Sequence, residues 1–252
     1  MSGELRSVLA NGVLSLVIDN EARANAMSQQ MTKALGRELD RADQDDEVRV
    51  VLITGAGDRV FCSGHDITEL LENPTAAFDA AANEVFQRPR LLRKPTIAAI
   101  NGAAYAGGLN LALACDIRIG SAAASFAATG ARLALLPIGG QLSVLPTLIG
   151  VGPAMDMLLR SRPVNADRAF ALGLLSQVVD PAQLHAVAAE AATFLASTPV
   201  DLNSAIKRAV WSSLEDAGRP ARQVEIFESE TFGRGSEAQR RLSAFLAKAS
   251  HR

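Results

Sequence analysis

Cysteine is almost missing from this 252-residue chain. The two that occur, Cys62 and Cys115, each sit in an apolar run with no histidine or cysteine at ligand spacing. A disulfide framework and a thiolate zinc site are both excluded, no metal is expected, and a reducing cytoplasm fits. An excess of charge of one sign is missing too. The 25 basic and 27 acidic residues are scattered, and a net charge of −2 gives no electrostatic footprint for nucleic acid or an anionic membrane. No stretch offers about eighteen uncharged apolar residues, and the first residues carry charge early, without the basic start and apolar stretch of a signal peptide. A soluble protein, not exported by that route, is expected. No GxGxxG follows the first strand and no GxxxxGK[ST] occurs, which argues against dinucleotide and P-loop sites. What remains is a small-molecule ligand.

The apolar fraction of 48% is enough to fill one large domain. Val8 to Ala10, Asn11-Gly12 and Val13 to Ile18 read as a hairpin, because Asn-Gly supplies the positive φ values of a two-residue turn. From Ser28, an N-cap, Met31, Ala34, Leu35, Leu39 and Ala42 recur at helical spacing. Val48 to Thr54, Thr96 to Ile100 and Asp116 to Ile119 read as strands. Helices at about Glu84 to Leu92 and Gly108 to Ala114 lie between, giving a mostly parallel sheet. Beyond Leu136-Pro137-Ile138-Gly139-Gly140 the pattern becomes helical, with few strand signals. An α/β core is therefore expected over residues 1–180, and a C-terminal helical region over 181–252.

Two glycine segments carry chemistry. VFCSGHDI ends at Ile67, and NGAAYAGGLNLALACD runs from Asn101 to Asp116. Small residues at the strand exit let a ligand approach the backbone, and a helix start at Gly107 presents an amide without an internal partner to developing negative charge. A second amide from the Gly64-His65-Asp66 turn would complete a two-donor oxyanion hole. A glycine pair after a strand is also an ordinary packing device.

Together, in this order, the two segments resemble those of the enoyl-CoA hydratase/isomerase (crotonase) family, AFCAGADI and NGxAxGGGxELAxxCDI. EARANAMS at Glu21, LALLPIGGQLSVLPTLIG at Leu133 and SEAQRRLSAFLAK at Ser236 are similar to further segments of that family. The resemblance implies a crotonase-like (ClpP/crotonase) spiral of βα turns, a homotrimer or hexamer, and no cofactor beyond the coenzyme A of an acyl-CoA thioester. It implies that the amides of His65 and Gly107 receive the thioester oxygen, and that Arg23 and Ala24 flank the coenzyme A. Phe245 and Lys248 would reach it from an adjacent subunit. Ala26, Asp66, Ile67, Tyr105, Gly130 and Ile138 complete the implied binding set.

Matched residue by residue, the two hydratase glutamates fall on Asn110 and Gly130. Neither can take a proton at neutral pH. GHDI is similar to methylmalonyl-CoA decarboxylases, in which loss of CO₂ generates the enolate without a base. Three readings follow: an atypical enolate-forming enzyme, a decarboxylase, and a non-catalytic acyl-CoA-binding or partner subunit. His65 and Tyr105 are the polar candidates beside Asn110, with Glu69, Glu72 and Glu84 as carboxylates that could enter the pocket. The depth of the acyl site is expected to depend on the segment from Glu72 to Arg90.

Overall fold

The computed structural model describes residues 3–72, 83–233 and 235–249. The hairpin forms as expected: β1 (Glu4–Ala10) and β2 (Val13–Asp19) pair antiparallel, turning through Asn11 and Gly12 at φ of 50° and 79°. From β2 the sheet continues in parallel through β3 (Val50–Gly55), β5 (Thr96–Ile100), β7 (Ile117–Ser121) and β10 (Gln177–Val179).

A second sheet, with no counterpart in the sequence reading, contains β4 (Val60–Cys62), β6 (Ala103–Tyr105), β8 (Ser125–Ala127) and β9 (Val164–Asn165). Each turn of the chain lays one strand in each sheet, so β3 leads to β4, β5 to β6 and β7 to β8. This makes an α/β spiral. Strands of two or three residues leave no alternation to read, and so the region beyond Leu136 holds β9 and β10 where few strand signals stand.

Burial explains why these segments persist. Leu14, Leu16 and Ile18 alternate inward on β2 and meet the helix Gln29–Gln44, whose Met31, Leu35, Leu39 and Ala42 form its buried stripe. Ser28 caps that helix through Oγ, which accepts from the Met31 amide at 3.2 Å. The expected helix Glu84–Leu92 is instead a 3₁₀ turn, Val85–Gln87, running into a single helical turn, Arg88–Leu91; Pro89 near its start lacks an amide to continue the ladder.

β5 is buried on both faces. Ala98 and Ile100 join the main core, while Ile97 and Ala99, with Val50 and Ile119, meet Leu184, Ala188 and Ala192 of the helix Leu184–Ser197. A helix that the sequence assigns to the C-terminal region thus covers the outer face of the large sheet.

The long helix Val200–Gly233 is anchored by a buried cation. Lys207 Nζ lies 2.9 Å from Asp116 Oδ2 and donates to the carbonyls of Pro89 and Lys94, and Trp211 Nε1 donates to Asp116 Oδ1 at 2.7 Å. Burial lowers the Lys207 pKa even beside this partner. Asp116 is thereby structural. Among the described residues no helix is long and apolar enough to cross a membrane.

One contact fixes the start of the helix Gly107–Ala114 against β4. A Cβ on Gly108 would lie 1.9 Å from the carbonyl oxygen of Cys62, a backbone atom with no rotamer to yield. Replacing a helical glycine with alanine ordinarily gains about 1 kcal/mol. Here the sign reverses, and Gly108→Ala is expected to lose more than about 2 kcal/mol, a typical overpacking cost, in urea-induced unfolding. Unchanged or increased stability would contradict the close approach.

Candidate active site

The two glycine turns meet. Gly64, at φ +97°, is packed so closely on Gly107 that a Cβ there would sit 2.8 Å from the Gly107 nitrogen. The first turn is pinned from outside: the Met27 amide donates to the Gly64 carbonyl at 2.7 Å and the Asp66 amide to the Met27 carbonyl at 3.0 Å. These two bonds straddle His65 and leave its own amide over. The second turn is held by Ala106, a non-glycine residue at φ 48° and ψ −117°, whose amide donates to Ala127 O at 3.1 Å. Strain of this kind persists only where surrounding contacts over-determine it. Among the described residues, neither the His65 nor the Gly107 amide has an acceptor.

Both residues line a cavity of about 650 Å³. Of the sequence-derived candidates, the structure brings Arg23, Ala24, Ala26, His65, Asp66, Ile67, Tyr105, Gly107, Asn110, Gly130, Ile138 and Phe245 to its wall. The loop carrying Arg23 and Ala24 is tied down by the buried Asn25, whose Nδ2 donates to the carbonyls of Ala56 and Val60. Lys248 stays exposed, outside the cavity lining. Phe245, brought in from an adjacent subunit by the sequence reading, lines the cavity of its own chain at 48% exposure. The last helix folds back there because Leu242 is fully buried beside it, and Arg241 reaches the carbonyls of Ala131 and Arg132.

The carboxylate candidates fare differently. Glu69 Oε2 accepts from the Gln29 amide at 2.6 Å and so caps a helix, where the dipole favours negative charge. Glu72 and Glu84 are exposed and outside the lining. Of the segment expected to set acyl-site depth, residues 73–82 lie outside the described residues. Asp66 is the one described carboxylate on the wall, and it is committed: Arg23 Nη1 lies 2.6 Å from its Oδ2 and the Thr68 amide donates to Oδ1. Burial pushes its pKa upward, but the Arg23 and Thr68 hydrogen bonds outweigh that and hold it below the ordinary value.

The polar candidates are likewise engaged. Tyr105 shares a hydrogen bond with Ser125 Oγ at 3.1 Å. The His65 ring stands edge-on to Phe86, with centroids 5.0 Å apart, and its Nε2 lies 3.1 Å from Asn83 Oδ1. Burial lowers its pKa, and the Asn83 bond offsets this only in part. Asn110 is 3% exposed and its Oδ1 accepts from Gln141 Nε2 at 2.5 Å. Sequence reasoning missed Gln141 and Ser161, both on the wall; Gln141 directly follows the glycine pair Gly139-Gly140, inside the segment LALLPIGGQLSVLPTLIG. Cys62 and Cys115 are buried with thiol pKa values pushed up to about 12, which keeps both protonated and unreactive. No cluster of three or more His, Cys, Asp or Glu able to hold a metal occurs among the described residues.

Comparison with known proteins shows the family and the fold. Residues 9–251 match the family described as enoyl-CoA hydratase/isomerase. A short-chain-enoyl-CoA hydratase of Clostridium acetobutylicum is 34% identical over 97% of this chain and 96% of its own length. The 1,2-epoxyphenylacetyl-CoA isomerase of Escherichia coli is 32% identical over 97% and 95%. Among solved structures, an enoyl-CoA hydratase/isomerase from Pseudoalteromonas atlantica superposes with a TM-score of 0.88 at 27% identity, covering 97% of each chain.

The half-buried imidazole gives a direct check. A base whose folded pKa is depressed binds fewer protons when folded than when unfolded, so acidification through the ordinary value near 6.5 weakens the fold. Of the three histidines in the chain, His65 is expected to titrate below that value in ¹⁵N-resolved NMR. Titration of His65 at or above it would contradict the enclosed, neutral ring.

Proposed function

This chain belongs to the enoyl-CoA hydratase/isomerase family, and from that premise we propose that it binds an acyl-CoA thioester and stabilises its enolate without a carboxylate base. The observation that carries the reading is the pair of amides, His65 and Gly107, left without acceptors on two touching turns at one cavity. Donors fixed in place before reaction act on the charge that develops on the thioester oxygen; losing one such donor costs about 3–4 kcal/mol in other enzymes. Exposed Arg23, Ala24 and half-exposed Phe245 would receive the coenzyme A, while Leu133, Leu135, Leu136 and Pro137 offer an apolar wall for the acyl chain.

The missing base decides which chemistry suits the site. Hydration needs a carboxylate to activate water, and Asn110 and Gly130 supply none. Decarboxylation of an α-carboxyacyl thioester needs none. The bond from C2 to the carboxylate breaks, its electron pair enters the enolate, CO₂ departs, and C2 then takes a proton from water. Isomerisation would need a proton-transfer group beyond Asn110. A non-catalytic acyl-CoA carrier is the second reading, favoured by the engagement of Asp66, Tyr105 and His65 in structural bonds. A homotrimer or hexamer is the proposed assembly; Val151, Met155 and Leu159, exposed at helical spacing on Val151–Arg160, would be covered by it, and sedimentation equilibrium reads the state directly.

Incubation with crotonyl-, malonyl- and methylmalonyl-CoA, with products read by mass spectrometry, tests the reading. Release of CO₂ with little hydration is expected. Fast hydration of crotonyl-CoA that survives Asn110→Ala would contradict it, and tight binding without turnover would favour the carrier.

A further inference from the structure

Gln141 is 3% exposed, and the groups around its side-chain nitrogen determine which way its amide lies. Nε2 is 3.3 Å from the Ala106 carbonyl oxygen and 3.4 Å from that of Ile138. Backbone carbonyls only accept, so the NH₂ end must face them. The reverse orientation would set an oxygen against two carbonyl oxygens. The fold holds this orientation even though Gln141 Oε1 is left buried with no partner.

That choice propagates. The Asn110 atom 2.5 Å from Gln141 Nε2 must be an acceptor, so it is Oδ1, and the side of the Asn110 amide turned away from Gln141 is therefore Nδ2. Among the described residues nothing accepts from this Nδ2, and Asn110 lines the cavity. Where a glutamate would present an acceptor, this chain presents a neutral donor. It stands three residues after Gly107 in one helix, hence about 4.5 Å further along the axis at 1.5 Å per residue. Its side chain is therefore within reach of the first carbons, C2 and C3, of an acyl chain whose thioester oxygen rests on the Gly107 amide.

We infer that Gln141 is a positioning residue that locks Asn110 as a hydrogen-bond donor, and that the site selects acyl-CoA thioesters carrying an acceptor oxygen on C3, as a ketone or as the carboxylate of a malonyl-type chain. The inference rests on the thioester reading above and sharpens it to a substrate class. A neutral amide can orient a carboxylate without the strong pairing that a cation would impose, which suits a group that must leave as CO₂.

Calorimetric titration of the full-length protein with acetoacetyl-CoA and butyryl-CoA tests this, since the two four-carbon chains differ at C3 by one oxygen and neither contains a carboxylate to lose. Wild type is expected to bind acetoacetyl-CoA about five- to tenfold more tightly, the ratio one hydrogen bond supports. Asn110→Leu should bring the ratio to about one while butyryl-CoA still binds. Q141E should take it below one, because the carboxylate accepts from Nδ2 and turns Oδ1 toward the ligand. A purely structural Gln141 would weaken both ligands together and leave the ratio at its wild-type value, which overturns the positioning role. If Q141E does not fold, the Asn110→Leu ratio alone decides whether Asn110 acts as the donor, and a ratio still at the wild-type value overturns the inference. Wild-type affinities that are equal for both ligands overturn the inference but leave the thioester reading standing; failure of both ligands to bind at all removes both.

Discussion

The close approach of two backbones, Gly64 to Gly107, is the constraint on which the rest of this molecule depends. It requires that neither residue carry a side chain, that Gly108 lie directly against the Cys62 carbonyl, and that β4 and β6 run side by side in the small sheet. The two-sheet spiral exists to bring successive strand exits to one place. The first exit delivers the His65 turn and the second the Gly107 helix start. Met27 and Ala127 supply the outside bonds that keep those turns from relaxing.

The described side chains around the paired amides are largely engaged with one another. Among the described residues of the wall, Asp66 is paired with Arg23, Tyr105 with Ser125, and His65 with Asn83 and the edge of Phe86. Asn110 and Gln141 hold one another in a single orientation. Polarisation of a carbonyl and recognition by neutral donors are what such a wall can do.

Much of this was legible in the residues. Asn11-Gly12 specified its hairpin turn, the Met31, Leu35, Leu39 stripe specified its helix, and the glycine segments specified both turns that meet at the cavity. The second sheet was not, because strands such as Val60–Cys62 are too short for alternation to register and are held by neighbours rather than by propensity. Gln141 went unread for a related reason. Its role arises only when residues 106, 110 and 138 surround it, and nothing in the local sequence Gly-Gly-Gln-Leu announces a buried amide. The placement of Phe245 in its own chain's cavity depended on the path of the last helix, which spacing does not encode.

The central claim is that two main-chain amides converge on one thioester oxygen. Isotope-edited infrared difference spectroscopy of butyryl-CoA labelled with ¹³C at the thioester carbon reads that oxygen directly. Two donors at hydrogen-bond distance predict a carbonyl stretch for the bound ligand at lower frequency than in water. A bound carbonyl at or above its aqueous frequency would mean that the amides of His65 and Gly107 do not meet the substrate.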